Sequence, residues 1–120
     1  MEQIKCKRFS GENFDDRILL IKSCSDGWGY FSLFVSHSHL WKEKKEFLKA
    51  IKLYSSKSAS NDQNHFNQLL SWFNNHGSDQ LTIHPPYECQ SEVLIDEWDH
   101  KTILWQEENK YFVYSWYAQT

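Results

Sequence analysis

The segment His37-Ser38-His39 brings two imidazoles close together in the chain. On a strand, side chains two residues apart point to the same side, so both rings could face one metal ion, with His84 or His100 as a third ligand. His37, however, stands where a strand pattern gives way to a helix pattern, which favours solvated or capping roles for the two rings. We therefore expect no bound metal. A small metal protein or enzyme built on His37 and His39 is an alternative.

Cysteines and clustered acids are the other residues that could act in catalysis. Cys6, Cys24 and Cys89 are odd in number and lack CxxC spacing, which favours reduced, partly buried thiols over a disulfide or a zinc site. The acids between residues 92 and 99 could form a carboxylate pair, yet charged strand edges and turns commonly carry such residues. No phosphate-binding glycine loop occurs. The sequence therefore predicts a protein without enzyme activity and without a cofactor.

Lysines form a basic stripe on a predicted amphipathic helix. Apolar residues repeat at helical spacing over 39–55, and Lys45, Lys49 and Lys52 fall on the opposite face. Such a stripe is a feature of nucleic-acid-binding modules, which gives a second alternative. The net charge of −3 weighs against it, and any soluble helix carries a charged outer face. We expect nucleic-acid binding to be weak.

The charge of the chain is divided unevenly along its length. Residues 1–60 hold eleven Lys and Arg against seven Asp and Glu, a net charge of +4, whereas residues 61–120 hold two against nine, a net charge of −7. A field of this kind does not select a fold, but it steers a partner of opposite sign and raises the association rate by about ten- to a thousandfold. The second half is expected to attract a basic partner.

The acids of the second half alternate with large aromatic residues in LIDEWDHKTILWQEENKYFVYSW. Aromatic side chains anchor protein interfaces, and carboxylates around them pair with lysine and arginine of a partner. The pattern predicts a single protein-binding patch with these residues: Asp96, Glu97, Trp98, Asp99, Trp105, Glu107 and Glu108. The alternative is a half-exposed sheet surface kept soluble by its acids. The two interpretations differ in whether Trp98, Trp105 and Trp116 are all buried.

Hydrophobic periodicity predicts seven strands and two helices. The strands are expected at 4–9, 17–24, 27–36, 81–84, 92–98, 102–106 and 110–117, and the helices at 39–55 and 62–75. The strand at 27–36 is apolar on both faces, which is typical of a central strand covered on each side. The order βββ-αα-ββββ indicates a single α+β domain over residues 1–120, with two helices packed on one face of an antiparallel sheet.

The beginning of the chain shows no targeting signal. MEQIKCKRFSGEN carries charges from its second residue onward and has no apolar run of signal-peptide or membrane-span length. A length of 120 residues, an aromatic content of 17%, and only four glycines and two prolines favour one folded core. We expect a cytosolic protein with no membrane partner.

In size, acidity, aromatic content and segments such as SEVLIDEWDHKTILWQEENKYF, the chain resembles the small cytosolic immunity proteins that bacteria co-express with polymorphic or contact-dependent inhibition toxins. The resemblance is one of composition and not of a defined motif. Such families often neutralise a basic nuclease by covering its active site with an acidic patch, and their folds vary. The resemblance implies a non-enzymatic immunity protein or antitoxin that binds a basic toxin domain stoichiometrically. The lysine-rich helix departs from a uniformly acidic surface.

Overall fold

The computed structural model describes residues 6–8, 17–25, 29–51, 53, 60–76 and 90–118. The strands are β1 (Cys6–Arg8), β2 (Ile18–Ser25), β3 (Gly29–His37), β4 (Gln90–Asp96), β5 (His100–Glu107) and β6 (Lys110–Ala118). The helices are a 3₁₀ helix (Ser38–Leu40), α1 (Lys44–Ala50) and α2 (Gln63–His76). The strand predicted at 81–84 and the turn predicted between the first two strands lie outside the described residues.

The described strands form one antiparallel sheet in the order β1-β2-β3-β6-β5-β4. The pairing of β3 with β6 joins the N-terminal and C-terminal parts, and it runs without interruption from Gly29 opposite Ala118 to His37 opposite Lys110. Both central strands are rich in aromatic residues, which fit a sheet covered on two sides. The predicted α+β class and the order of strands and helices are confirmed over the described residues.

The structure corrects the expectation that both helices pack on one face of the sheet. Neighbouring residues of a strand point to opposite faces, and β3 is apolar on both. Its residues Phe31, Leu33 and Val35 join a core cluster with the buried side of α2, whereas Phe34 joins a second cluster with Phe47 of α1. Each helix therefore covers one face, here called the α2 face and the α1 face.

Helix α1 is shorter than the helix predicted at 39–55. Trp41 interrupts the helical run because its backbone is extended, with φ −119° and ψ 132°. Its buried indole donates a hydrogen bond of 2.8 Å to Ser36 Oγ on β3. Burial of the ring in the second cluster thus delays the helix until Lys44, whose ammonium group reaches out of the apolar stripe to Glu92 on β4.

Helix α2 agrees with the helix predicted at 62–75. Asp62 caps it, since its Oδ1 atom accepts a hydrogen bond of 2.9 Å from the backbone of Asn64. Phe66, Leu69 and Phe73 form its buried stripe. Gly77, the predicted end signal, lies outside the described residues. None of the described helices is long and apolar enough to cross a membrane.

Candidate binding surface

The residues predicted to form one acidic patch lie at two opposite ends of β5. Asp96, Glu97, Trp98 and Asp99 belong to the end of β4 and the turn into β5, whereas Glu107 and Glu108 belong to the turn into β6. Strand β5 contains eight residues at about 3.3 Å each, which separates the two turns by roughly 25 Å. The predicted patch is therefore divided between two separate turns, and each turn is judged by its own surroundings. The two turns are named below the Trp98 turn (97–100) and the Glu108 turn (107–110).

Trp105 belongs to the core and not to a binding surface. Only 2% of its surface is exposed, on the α2 face of the sheet. Its ring stacks on Phe112 with 5.1 Å between centroids and meets Phe66 of α2 edge to face. Its indole N–H donates to Glu107 Oε2 at 3.1 Å, so this carboxylate satisfies a buried group. The sequence prediction is therefore wrong for Trp105 as a contact residue, because its alternation along β5 directs it inward.

Trp98 is the opposite case, with 83% of its surface exposed. The turn is held by two backbone hydrogen bonds, Glu97 N to His100 O at 2.8 Å and His100 N to Glu97 O at 3.4 Å. Trp98 and Asp99 are thus the two central residues of a tight hairpin. The backbone N–H of Ala118 also donates to Asp99 O at 2.8 Å, which ties the turn to the end of β6. Exposure of a whole indole on a braced hairpin favours an anchor for another molecule.

Two further exposed aromatic residues lie in the sheet beside this turn. The register places Tyr30, Tyr117 and His100 directly opposite one another on β3, β6 and β5. Tyr30 is 46% exposed and Tyr117 is 40% exposed, and the Tyr117 ring stacks on His100 with 4.3 Å between centroids. With Trp98, three of the four large exposed hydrophobic side chains among the described residues therefore lie at one end of the sheet.

Hydroxyl groups support the His100 ring from the next row of the sheet. Its Nε2 atom lies 3.2 Å from Thr102 Oγ1 and 3.3 Å from Ser115 Oγ, and these two buried hydroxyls are 2.8 Å apart. Burial lowers the pKa of His100 below its ordinary value of 6.5, although the charge of Asp99 acts in the opposite direction. The ring is therefore largely neutral at pH 7. Ser115 has no exposed surface, so this cluster holds the ring in place and offers no accessible nucleophile.

Asp96 is occupied by internal partners. Its carboxylate lies 2.7 Å from His65 Nε2 on α2 and 2.8 Å from Lys101 Nζ on β5. Burial alone would raise the pKa of Asp96, but the hydrogen bonds and charges of these two partners outweigh it and hold the pKa below the ordinary value of 3.8. Asp96 therefore fastens α2 to the sheet, and within the Trp98 turn Glu97 and Asp99 are the residues that give it acidic character.

The Glu108 turn carries acids among cations. Lys110 stands opposite Glu107 in the sheet, and the turn also touches the start of the 3₁₀ helix, where Ser38 donates to Asn109 O. Helix α1 lies over this end and is exposed on its lysine side. Two of its lysines are paired, Lys44 with Glu92 and Lys45 with Glu43. Of the predicted basic stripe, Lys45 pairs with Glu43, Lys49 is exposed on α1, and Lys52 lies outside the described residues.

His37 and His39 are neighbours in space as well as in sequence, with 5.3 Å between ring centroids. Their rings lie beside the Glu108 turn, at the end of the sheet away from His100. His84 lies outside the described residues. Within the part of the chain that the structure describes, no group of three or more His, Cys, Asp and Glu side chains is placed to hold a metal ion.

Comparison with known proteins adds no relative. No protein-family model, curated protein or solved structure matches this chain. A function for this chain is therefore inferred from its fold and its surface chemistry.

Sequence reasoning identified Trp98 but missed Tyr30, Tyr117 and His100 as its neighbours. Alternation along β6 already separates Tyr117 from the buried Trp116, since adjacent residues point to opposite faces. The association of Tyr117 with Tyr30 depends on the register of β3 against β6, which joins residues 87 positions apart. Periodicity along one strand does not determine such a register.

Proposed function

We propose that this chain is a non-enzymatic immunity protein or antitoxin that works in the cytosol and neutralises a basic toxin domain by stoichiometric binding. The Trp98 turn and the adjoining row of Tyr30, Tyr117 and His100, together called the aromatic end, are the contact surface. The composition of the chain, which resembles that of small bacterial immunity proteins, is consistent with this role.

The observation that carries the proposal is the 83% exposure of Trp98 between two acids. Leaving an indole in water is unfavourable by roughly 25 cal/mol for each Å² of apolar surface, so a rigid turn that displays one has little structural reason to do so. Tryptophan and tyrosine are the residues that most often dominate binding energy at protein interfaces. Tyr30 and Tyr117 extend this surface beyond a single side chain.

The charges around the aromatic end support a basic partner. Glu97 and Asp99 flank the indole, and Lys101, which follows this turn on β5, already pairs with Asp96. The Glu108 turn, in contrast, contains a lysine, Lys110, opposite Glu107. Net negative potential at the aromatic end would steer lysine and arginine of a partner toward Trp98.

The test is affinity capture of the tagged chain from its native cells, followed by mass spectrometry and by assays on the purified partner. We expect a basic toxin domain whose activity disappears at one equivalent of this protein. Trp98→Ala should weaken the complex by about 2 kcal/mol or more, roughly thirtyfold in Kd, mainly through faster dissociation.

A matched control is Leu40→Ala, because Leu40 is also exposed but lies beside the Glu108 turn. This variant should bind as the wild type does, and circular dichroism should show both variants to be folded. The proposal is wrong if a folded Trp98→Ala variant binds and inhibits the captured toxin as tightly as the wild type. Capture of nucleic acid in place of a protein would also contradict it.

A further inference from the structure

The exposed tyrosines of the aromatic end lie on the α1 face of the sheet. Phe31 and Trp116 pair across β3 and β6 and both join the core cluster under α2, so their neighbours Tyr30 and Tyr117 point to the other face. Helix α1 stacks a ring on β6 at Tyr111, six residues before Tyr117 and therefore about 20 Å away along the strand. The two tyrosines are thus not covered by α1.

The rings of Tyr30 and Tyr117 diverge although their backbones are paired. Directly opposite residues of an antiparallel pair have Cβ atoms roughly 5 Å apart, which is close enough for two rings to touch. The Tyr117 ring instead stacks on His100, and the Tyr30 ring makes no contact with the ring of any other described residue. A slot that opens to solvent therefore lies between the two tyrosines.

A carboxylate lies beside this slot. The backbone hydrogen bond of 2.8 Å from Ala118 N to Asp99 O holds Asp99 next to the end of β6. Burial lowers the pKa of His100 and the charge of Asp99 opposes this shift, which places the carboxylate near the ring that supports Tyr117. The Asp99 side chain forms no hydrogen bond or ion pair with any described residue.

The surrounding sheet surface supplies no positive counter-charge. Among the described residues of the tyrosine row and of the row beside it, none is a lysine or an arginine. The tyrosine row continues to Ser25 on β2, and the neighbouring row consists of Ser23, Ser32, Ser115 and Thr102. Lys101 points to the α2 face, where it pairs with Asp96. The slot therefore combines exposed aromatic faces with an uncompensated negative charge.

A guanidinium group matches both properties of the slot. It is planar and weakly hydrated, so it stacks on aromatic rings, and its N–H groups pair with carboxylates. The ammonium group of lysine is a compact and strongly hydrated charge, which gains less from an aromatic slot. The chain contains one such contact of its own, because the guanidinium carbon of Arg17 lies 3.8 Å from the centre of the Trp41 ring.

We propose that the slot between Tyr30 and Tyr117 receives an arginine side chain of the protein partner, with Asp99 as its counter-charge. The inference rests on the proposed function for the source of this arginine, and it names the group that the aromatic end recognises. The guanidinium lies against the tyrosine rings, while His100 supports the Tyr117 ring from its other side. The exposed indole of Trp98 remains available for apolar parts of the partner.

The test is a nuclear magnetic resonance titration of the full chain, labelled with ¹⁵N and with ¹³C in its aromatic rings. The probe is the blocked tripeptide acetyl-Gly-Arg-Gly-amide, and we expect saturable shifts of the Tyr30 and Tyr117 ring signals and of the Asp99 backbone amide. A matched peptide with citrulline keeps the shape of arginine without its charge and should give no saturable shift. A matched peptide with lysine keeps the charge without the planar group and should bind at least about threefold more weakly.

Two variants separate the contributions of ring and charge. Tyr30→Leu removes the ring but keeps an apolar side chain, and Asp99→Asn removes the charge. Each should weaken binding of the arginine peptide by at least about threefold. Glu108→Gln is the matched control for Asp99→Asn in the other turn, and it should bind as the wild type does.

Equal binding of the citrulline or lysine peptide, saturable shifts confined to the Glu108 turn, or no saturable shift with the arginine peptide would each overturn the proposal. These comparisons use the wild-type chain, so they decide the matter whether or not Tyr30→Leu folds. Unchanged binding by folded Tyr30→Leu would also overturn it. Because the probe is a peptide, its failure to bind would leave the capture of a toxin through Trp98 untouched, and failure to capture a toxin would leave the peptide result standing.

Discussion

Two tight hairpin turns close opposite ends of β5, and both are acidic in sequence. The Trp98 turn exposes its tryptophan and binds its backbone to the end of β6, whereas the tryptophan preceding the Glu108 turn is buried and uses Glu107 as a hydrogen-bond acceptor. The backbones differ as well, because Glu108 and Asn109 have positive φ angles of 49° and 64°.

This difference shows that acidic composition does not by itself define a binding surface. The carboxylate of Glu107 accepts a hydrogen bond from the buried Trp105 indole, and that of Asp96 joins α2 to the sheet. In the sequence, neither acid can be distinguished from the exposed Asp99. What separates the two ends is the direction of the large side chains. The aromatic end displays its rings, and the Glu108 turn lies next to cations.

The largest effect should come from truncating the two tryptophans of this comparison. Trp105→Ala removes a buried ring that stacks on Phe112, and it should reduce the free energy of unfolding by about 3–5 kcal/mol. Trp98→Ala removes an exposed ring and should change it by less than about 0.5 kcal/mol. Urea unfolding followed by circular dichroism measures both. A Trp98→Ala variant as unstable as Trp105→Ala would show that the exposed indole is structural.

Much of the fold could be read from the sequence because its signals are local. The stripe of Phe66, Leu69 and Phe73 and the polar residues ahead of it predict α2, and the alternation of residues 27–36 predicts a strand apolar on both faces. The apolar residues on both faces of that strand already indicated that both faces are covered. Which helix covers which face depends on the packing of Phe47 against Phe34, a tertiary contact that the sequence pattern does not reveal.

The binding surface could be read only in part for the same reason. Trp98 lies between two acids and Trp105 follows an apolar pair, but alternation places Trp105 on one face of β5 without indicating which face carries α2. The interruption of the predicted helix at Trp41 was not foreseen, because burial of the Trp41 indole outweighs the helical spacing of the residues around it. In each case a contact between distant residues decides the outcome, and one sequence does not contain that information explicitly.

Relief of backbone strain should produce the next largest effect. Glycine adopts positive φ without steric cost, so Glu108→Gly should raise the free energy of unfolding by about 1 kcal/mol or less. Asp99→Gly is the matched change in the other turn, where φ is not positive, and it should lower stability by about 0.5–1 kcal/mol through added freedom of the unfolded chain. Thermal melts of both variants test this. If both substitutions raised the free energy of unfolding, or both lowered it, the inferred difference in backbone strain between the two turns would be wrong.

Reversal of one charge in each turn separates the two surfaces in kinetics. Asp99→Lys should slow association with the basic partner by at least about twofold and make it less sensitive to salt, because rim charges act mainly on the association rate. Glu108→Lys is the control and should leave the rate unchanged, since this turn lies at the other end of the sheet and already contains Lys110. Surface plasmon resonance at two salt concentrations gives both rates. Slower association for Glu108→Lys alone would move the contact surface to the Glu108 turn.

The smallest effect we expect is a pH dependence of stability that arises at the aromatic end. Burial lowers the pKa of His100 below 6.5, so the unfolded chain binds a proton at this position more readily than the folded chain does. Stability from His100 is therefore complete above about pH 7.5, decreases as the pH falls through 6.5, and levels off below the folded pKa. The effect is small because Asp99 opposes the shift and the ring is partly exposed. Removal of the imidazole in His100→Gln should reduce the loss of melting temperature between pH 7.5 and pH 5.5. A nuclear magnetic resonance titration of the His100 ring with a midpoint at or above 6.5 would refute this prediction, and it would mean that the hydroxyls of Thr102 and Ser115 stabilise the charged ring.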